Sequence, residues 1–498
     1  MKVVSKIEKS SLELYFEPFR KNIIGIDQTF DARFGKKKIV YVDWTASGRL
    51  YGPIEKKMLH DFGPFVANTH TETTITGTTM THAYKTARAI IKEHVNAHPT
   101  NDVFLPSGTG MTGAINKFQR IMGLKIPEAL KDKVVIIEEE RPVVFITHME
   151  HHSNQTSWIE TIARVVVIPC DEDGLFSIDN LKELLEKYKD AKVKIASITS
   201  CSNVTGIKTP YHEVAQLMHQ HGGLCFVDFA CSAPYVDINM HPENSEAYLD
   251  AIFFSPHKFL GGPGTRGVLI FSKELYHNAV PDNPGGGTVS WTTPWGDHKF
   301  LDNIEDREDG GTPGFLQVIR TALAIRLKEK MGVSNILERE KELVSYVFSR
   351  LKNQPEISIL ADHIEERLGV ISLNIGNLNH DLAVKLLNDI YGIQSRGGCS
   401  CAGTYGHYLL KIDHQKSDEI IDKLEHGACG IKPGWVRISI HPTTTNEEIE
   451  FVCDSIISLS KNYKEYQKEY VLLDNNFVLK SELSLQPDSE WNKEWFEL

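Results

Sequence analysis

At 498 residues the chain is longer than one hydrophobic core normally serves, so two lobes are expected. A charged fraction of 24% and a hydrophobic fraction of 41% belong to a globular protein and exclude a disordered or collagen-like chain. The formal net charge of -12 argues against broad binding to nucleic acid or anionic membrane, which needs excess Lys and Arg.

The opening segment MKVVSKIEKSSLELYF lacks the unbroken apolar core of a secretion signal. No stretch reaches the roughly eighteen apolar residues that span a membrane. From about residue 38 to 275, short apolar runs alternate with helical ones. KIVYVDW (38–44), DVFLP (102–106), PVVFITH (142–148), ARVVVIP (163–169), VKIASIT (193–199), LCFVDF (224–229), DAIFFS (250–255) and GVLIFS (267–272) read as strands. Helices are expected over 112–123, 178–190 and 211–222, the second capped by Ser177. Continuous Val/Ile/Phe runs between helices imply an α/β fold with a mostly parallel, doubly wound sheet. A Gly/Pro-rich stretch (280–296) breaks the alternation. Two long helices (315–332 and 334–353) follow, then ISIL, LGVISLNI and WVRISIH as strands, with helices over 381–390 and 445–463: an α+β second lobe. The tail from about 464 shows no clear periodicity. The eight cysteines lack the dense spacing of a secreted scaffold, so a reducing cytoplasm is expected. Cys170, Cys225 and Cys453 read as small buried hydrophobes.

In such sheets, ligands bind beyond the carboxyl ends of the strands, and four strand ends carry unusual residues. Ser255-Pro256-His257-Lys258, before a glycine-rich turn, puts a lysine where desolvation could make it an amine nucleophile; a solvated loop lysine is the plain alternative. Asp228 closes a buried strand and suits a cationic ring nitrogen, or simply caps the next segment. Ser107-Gly108-Thr109-Gly110-Met111-Thr112-Gly113, between strand and helix, could hold a phosphate on backbone N–H groups, but lacks the Gly-Lys-Ser/Thr of a Walker A loop. Met149-Glu150-His151-His152-Ser153-Asn154 offers an imidazole for stacking and proton transfer. A metal reading has neither HExxH spacing nor a third ligand nearby, so no metal is expected.

These motifs, with SNVTG (202–206), the VDFA strand end and SRGGCSCAG in the second lobe, fall in one order over roughly residues 38 to 460. In that combination the chain resembles the class V, fold-type-I pyridoxal phosphate (PLP) enzymes, most of all cysteine desulfurases and selenocysteine lyases. The resemblance implies an N-terminal segment of the small lobe (1–37), a PLP-binding large domain (38–300), a small α+β domain (301–463) and a C-terminal extension (464–498). It makes Lys258 the Schiff-base lysine, Asp228 the acid facing the pyridine nitrogen and His151 the imidazole over the ring. Asn203 matches the asparagine near the cofactor hydroxyl and substrate, while Thr109, Gly110, Ser255 and His257 resemble the phosphate cradle. Arg437 matches the arginine for the substrate carboxylate, and Cys401 the desulfurase nucleophile. The family fold is a homodimer, and Gly285-Gly286-Gly287-Thr288 resembles the loop that reaches the neighbouring subunit's cofactor.

Three features depart from the desulfurase pattern. Cys231 stands where a glutamine is usual, Cys399 where a non-thiol is common, and a long insertion (403–434) precedes Arg437. The resemblance implies a small amino-acid substrate, a sulfur-acceptor protein and desulfuration of L-cysteine to alanine and an enzyme persulfide. An aminotransferase or another PLP lyase, selenocysteine lyase-like for example, remains the alternative, because a fold does not fix a reaction.

Overall fold

The computed structural model describes residues 9–482 and 494–497; the remaining residues of the expected terminal segments lie outside these. Its centre is a seven-stranded sheet: β1 (Asp102–Ser107), β2 (Val143–Thr147), β3 (Arg164–Ile168), β4 (Lys194–Thr199), β5 (Leu224–Asp228), β6 (Ala251–Phe254) and β7 (Gly267–Ser272). In space the order is β1-β7-β6-β5-β4-β2-β3. Only β7 runs antiparallel to its neighbours, pairing with β1 and β6. Every residue of β1, β2, β4 and β6 is buried, which accounts for their uninterrupted apolar runs.

Helices cover both faces of this sheet. Ile75–His94 (α1) was not evident from its Thr-rich opening, yet it buries Met80, Tyr84, Ala87 and Ile91 at helical spacing. Met111–Ile121 (α2), Ile178–Lys187 (α4) and Tyr211–Gln220 (α5) follow strands as expected, and His152–Ile159 (α3) is a further helix after β2. Ser177 does cap α4, its hydroxyl accepting the Asn180 N–H at 3.1 Å. Phe315–Met331 (α6) lies beyond the Gly/Pro-rich break but packs into the large lobe's core.

The second lobe holds a four-stranded antiparallel sheet. Its members are β8 (Ile357–Ile359), β9 (Val370–Ile375), β10 (Arg396–Gly398) and β11 (Trp435–Ser439), in the order β8-β9-β11-β10. Val333–Leu351 (α7) and Asn446–Gln467 (α10) bury their apolar residues in its core. Thr445 and Glu448 form a reciprocal cap at the start of α10. The insertion contains two helices, Gly403–Leu409 (α8) and His414–Glu425 (α9), and no residue of α9 is buried. The segment after α10 forms the hairpin Tyr470–Leu473/Asn476–Leu479.

The stretch 38–44 differs from its expected place. Only Val40–Tyr41 forms a strand, and it pairs in parallel with Ile393–Gln394. Val40 and Val42 enter the second lobe's core, and the Ser439 N–H donates to the Val42 carbonyl at 2.7 Å. The reason is local: the β1 edge is not extended by this segment, whereas the chain leaving β11 is open to it. Asp43 is carried to the seam between the lobes.

At that seam Gly206 has φ +73°, and the Leu368 N–H donates to its carbonyl at 2.9 Å. A Cβ there would lie 2.4 Å from the Leu368 carbonyl oxygen. Gly206→Ala therefore combines a left-handed penalty with a backbone clash, a loss of roughly 2–3 kcal/mol. A lowered midpoint of thermal unfolding checks this; an unchanged midpoint contradicts it.

Candidate active site

The carboxyl ends of β1, β2, β4, β5 and β6 open onto a cavity of about 320 Å³, closed on its other side by the 396–401 loop and Arg437. The short turn Pro256–Lys258 after β6 delivers Lys258 into it. Burial lowers the Lys258 pKa, opposed by Cys231 and Asp228 and reinforced by Arg437 and Arg396. Asp228, at the end of β5, accepts the Ala230 N–H at 2.8 Å. Burial pushes its carboxyl up to about 6, although that hydrogen bond and Lys258 pull it down. A buried acid with so few donors gains from a cation placed against it.

The loop after β1 is built for close approach. Gly108 has φ +56°, and a Cβ on Gly113 would meet the Gly108 Cα at 2.9 Å. A Cβ on Gly110, which precedes α2, would come 2.9 Å from Ser255 Oγ and 3.5 Å from His257 Nε2. The Met111 N–H donates to Ser255 Oγ at 2.8 Å. Burial, with Lys258 second, lowers the His257 pKa to about 4, so its imidazole is neutral at physiological pH. Glycine-lined backbone, hydroxyls of Thr109, Thr112 and Ser255, and a helix N-terminus are the donor set that a phosphate requires.

His151 caps α3, and its Nδ1 accepts the Ser153 N–H at 3.0 Å. That bond assigns the proton of the neutral ring to Nε2. Burial and then the charge of Lys258 push its pKa down to about 3. His152 faces elsewhere. Its backbone N–H donates to the Cys401 carbonyl at 2.7 Å, and its Nε2 accepts the Gly403 N–H at 2.9 Å.

Arg437 is 3% exposed in β11. Its Nη1 donates to the Asn203 carbonyl at 3.0 Å and its Nη2 to Asp43 Oδ1 at 2.9 Å, while the buried Nε has no partner. Arg396 Nη2 reaches Asp43 Oδ2 at 3.1 Å. One carboxylate thus stands between two guanidiniums, leaving the wall with one surplus positive charge and an unused donor. Both suit an anionic ligand. Asn203 Nδ2 donates to the Ser400 carbonyl at 2.7 Å.

The loop that carries Cys401 is strained. Ser400 and Cys401 have φ of +52° and +56°, two left-handed non-glycine residues in succession. Each costs roughly 1–2 kcal/mol. Cys401 is exposed and lines the cavity, whereas Cys399 packs with Ala402, Tyr405 and Trp435. Cys231 lines the cavity floor, and both it and Cys201 donate their thiols to the Ser202 carbonyl at 3.6 Å.

Thus Lys258, Asp228, His151, Asn203, Thr109, Gly110, Ser255, His257, Arg437 and Cys401 share one cavity. Thr288 lies outside the cavity of its own chain. It is fully buried, and its hydroxyl donates to the Gly285 carbonyl at 2.7 Å. Asp43 and His152 were missed as functional groups. Asp43 carried the same signal as Asp228, an acid closing an apolar strand; the contacts of His152 are long-range and leave no local pattern.

The family model described as Aminotransferase class-V matches residues 40–452. The chain belongs to that family. A probable cysteine desulfurase of Staphylococcus aureus is 29% identical over 377 residues, covering 75% of this chain and 85% of that protein. A Staphylococcus epidermidis relative of the same description is 28% identical over 378 residues. The apo cysteine desulfurase of Thermococcus onnurineus superimposes with a TM-score of 0.70 at 22% identity, covering 90% of this chain and 98% of that one. An Escherichia coli cysteine desulfurase in an S-sulfonic acid form gives 0.65 at 20% identity, covering 85% and 94%. These two share the α/β fold. The strand-end donors of this class V chain fit PLP: a phosphate cradle that a Cβ would fill, a buried acid lacking a cation, and a desolvated lysine.

The raised Asp228 pKa has a testable sign. Between about 3.9 and 6 the folded, cofactor-free protein binds more protons than the unfolded chain, so stability falls as pH rises through that window. Asp228→Asn removes the burden. It should stabilise the cofactor-free protein at pH 8 by up to roughly 3 kcal/mol, with no gain near pH 3.5. Thermal unfolding at both pH values tests this, and equal effects at the two would refute it.

Proposed function

We propose that this class V enzyme is a PLP-dependent cysteine desulfurase. The carrying observation is the exposed thiol of Cys401, which lines the same cavity as Lys258 and Arg437. Bound at the β1, β5 and β6 ends, PLP would supply covalent capture of an amine and a cationic ring that accepts an electron pair. Thr109, Gly110, Ser255 and His257 would hold its phosphate, and Asp228 its ring nitrogen.

Arg437, lining the cavity with Asn203 beside it, anchors the substrate carboxylate by its positive charge. Lys258, its proton affinity lowered by burial, takes the Cα proton. His151 presents Nε2–H without adding charge. Cys401, as thiolate, forms an S–S bond with the substrate sulfur while the Cβ–S bond breaks. The carbon keeps the electron pair and is protonated, so L-cysteine and the thiol become L-alanine and a Cys401 persulfide. A sulfur-acceptor protein, or a small thiol, then collects the sulfur. An exposed nucleophilic thiol suits a reducing compartment such as the cytoplasm.

We also infer a homodimer. Thr288 does not line its own chain's cavity, and the adjoining hairpin exposes Trp291 and Trp295 at 64% and 85%. Such surface supports a reading in which this arm packs on a second copy. Light scattering at micromolar concentration should give twice the monomer mass, and a monomeric holoenzyme would overturn the reading.

Incubated with L-cysteine and a thiol reductant, the holoenzyme should release alanine and sulfide in equal amounts. Borohydride reduction should fix the cofactor to Lys258 and to no other residue. Cys401→Ser should retain the cofactor's absorption but lose at least about 100-fold in sulfide release. Normal turnover by that variant would replace this reading with an aminotransferase or simple lyase. Arg437→Ala should raise KM, with kcat/KM reduced by roughly 2–5 kcal/mol. An unchanged kcat/KM would place carboxylate recognition elsewhere.

A further inference from the structure

The second histidine of the EHH segment has no part in the chemistry above, yet it grips the loop that carries the nucleophile. Ser400 is held from two sides, by Asn203 Nδ2 on its carbonyl and by Trp435 Nε1 on its hydroxyl at 3.2 Å. The Ala402 N–H closes a turn onto the Cys399 carbonyl at 3.0 Å. The two backbone groups that flank this turn both end on His152: the Cys401 carbonyl on its N–H and the Gly403 N–H on its Nε2. The contact leaves no room at Gly403, where a Cβ would stand 3.1 Å from that nitrogen. Gln155, one turn along α3, accepts the Thr404 hydroxyl at 2.8 Å and extends the attachment.

We propose that His152 is a positioning residue for Cys401, its neutral imidazole holding the left-handed Ser400-Cys401 pair so that the thiol faces the cavity. The proposal rests on Cys401 being the sulfur-accepting nucleophile. A left-handed pair without glycine relaxes toward ordinary backbone unless neighbours hold it. Asn203 and Trp435 hold Ser400, and Tyr405 further along is buried and bonded to Thr205, so the Cys401 carbonyl and the Gly403 N–H between these anchors are held by His152.

The grip also has a chemical condition. Nε2 can accept from Gly403 only while it is unprotonated, and a proton there would set two N–H groups against each other. The titratable and charged groups around the ring are His151 beside it and Lys432 on the segment after α9. Burial first, and Lys432 second, lower the His152 pKa, which keeps the acceptor available through neutral pH. Acidification below that lowered value releases Gly403.

Two readouts on the holoenzyme test this: hydrogen exchange of the 399–405 peptide, corrected for intrinsic exchange, and the single-turnover rate of sulfur transfer to Cys401. In His152→Ala, exchange at pH 8 should rise and the transfer rate fall by about tenfold, the equivalent of one lost hydrogen bond. The cofactor's absorption and the KM for cysteine should stay as in the wild type. His152→Gln places an amide oxygen where Nε2 accepts; it should restore protection and rate and shift the loss of both at acid pH to lower values. Wild-type exchange and rate in His152→Ala, or a wild-type acid limb in His152→Gln, would overturn the proposal. The exchange measurement needs no turnover, so it judges the grip even if Cys401→Ser disproves the desulfurase reading.

Discussion

A guanidinium withdrawn from water loses several kcal/mol of solvation and remains buried only where anions and carbonyls replace it. At Arg437, presented by β11, those replacements come from two distant parts of the chain: Asp43 from the segment entering the large lobe and Asn203 from the loop after β4. Meeting that requirement draws the lobes together and forms one wall of the cavity. The same Asp43 also restrains Arg396, close before the loop that carries Cys401. Removing Asp43 would leave two like charges facing each other, so this carboxylate carries structure and electrostatics at once.

The charge in the cavity is set by few groups because the nearby histidines do not contribute. Burial brings His151 to about 3, His257 to about 4 and His441 to about 3, the last stacked on Trp44 at 4.1 Å. Lys258, Asp228, Asp43 and the two arginines therefore dominate the field. A ligand with one carboxylate and one amine matches it: the carboxylate toward Arg437 and the amine toward Lys258. The neutral imidazoles supply directional hydrogen bonds without competing for the anion.

Much of this was readable from local pattern. Continuous apolar runs marked the strands of the large sheet, and the residues that close them, Asp228 and Lys258, stand at its functional edge. What escaped was long-range. The helix Ile75–His94 hid behind threonines, although Met80, Tyr84, Ala87 and Ile91 keep helical spacing. The stretch 38–44 has the strand signature but not the information on which sheet it joins, since an alternating run fits any open edge. Thr288 could be matched by motif, yet it lies buried outside its own chain's cavity. The twist at Ser400 and Cys401 follows no residue preference, because neither is glycine.

Strand order bears on how the molecule is made. β1, which leads into the glycine-rich loop, has β7 as its sole neighbour in the sheet among the described residues, and β7 lies far later in the chain. Emerging from the ribosome, β1 is an unpaired apolar edge while β2 through β6 are still being synthesised. Only when Gly267–Ser272 clears the exit tunnel can it slot antiparallel between β1 and β6 and bring Gly110 against Ser255. The closed glycine loop is thus a late product of translation, and a nascent chain arrested before β7 would present it to chaperones unpaired.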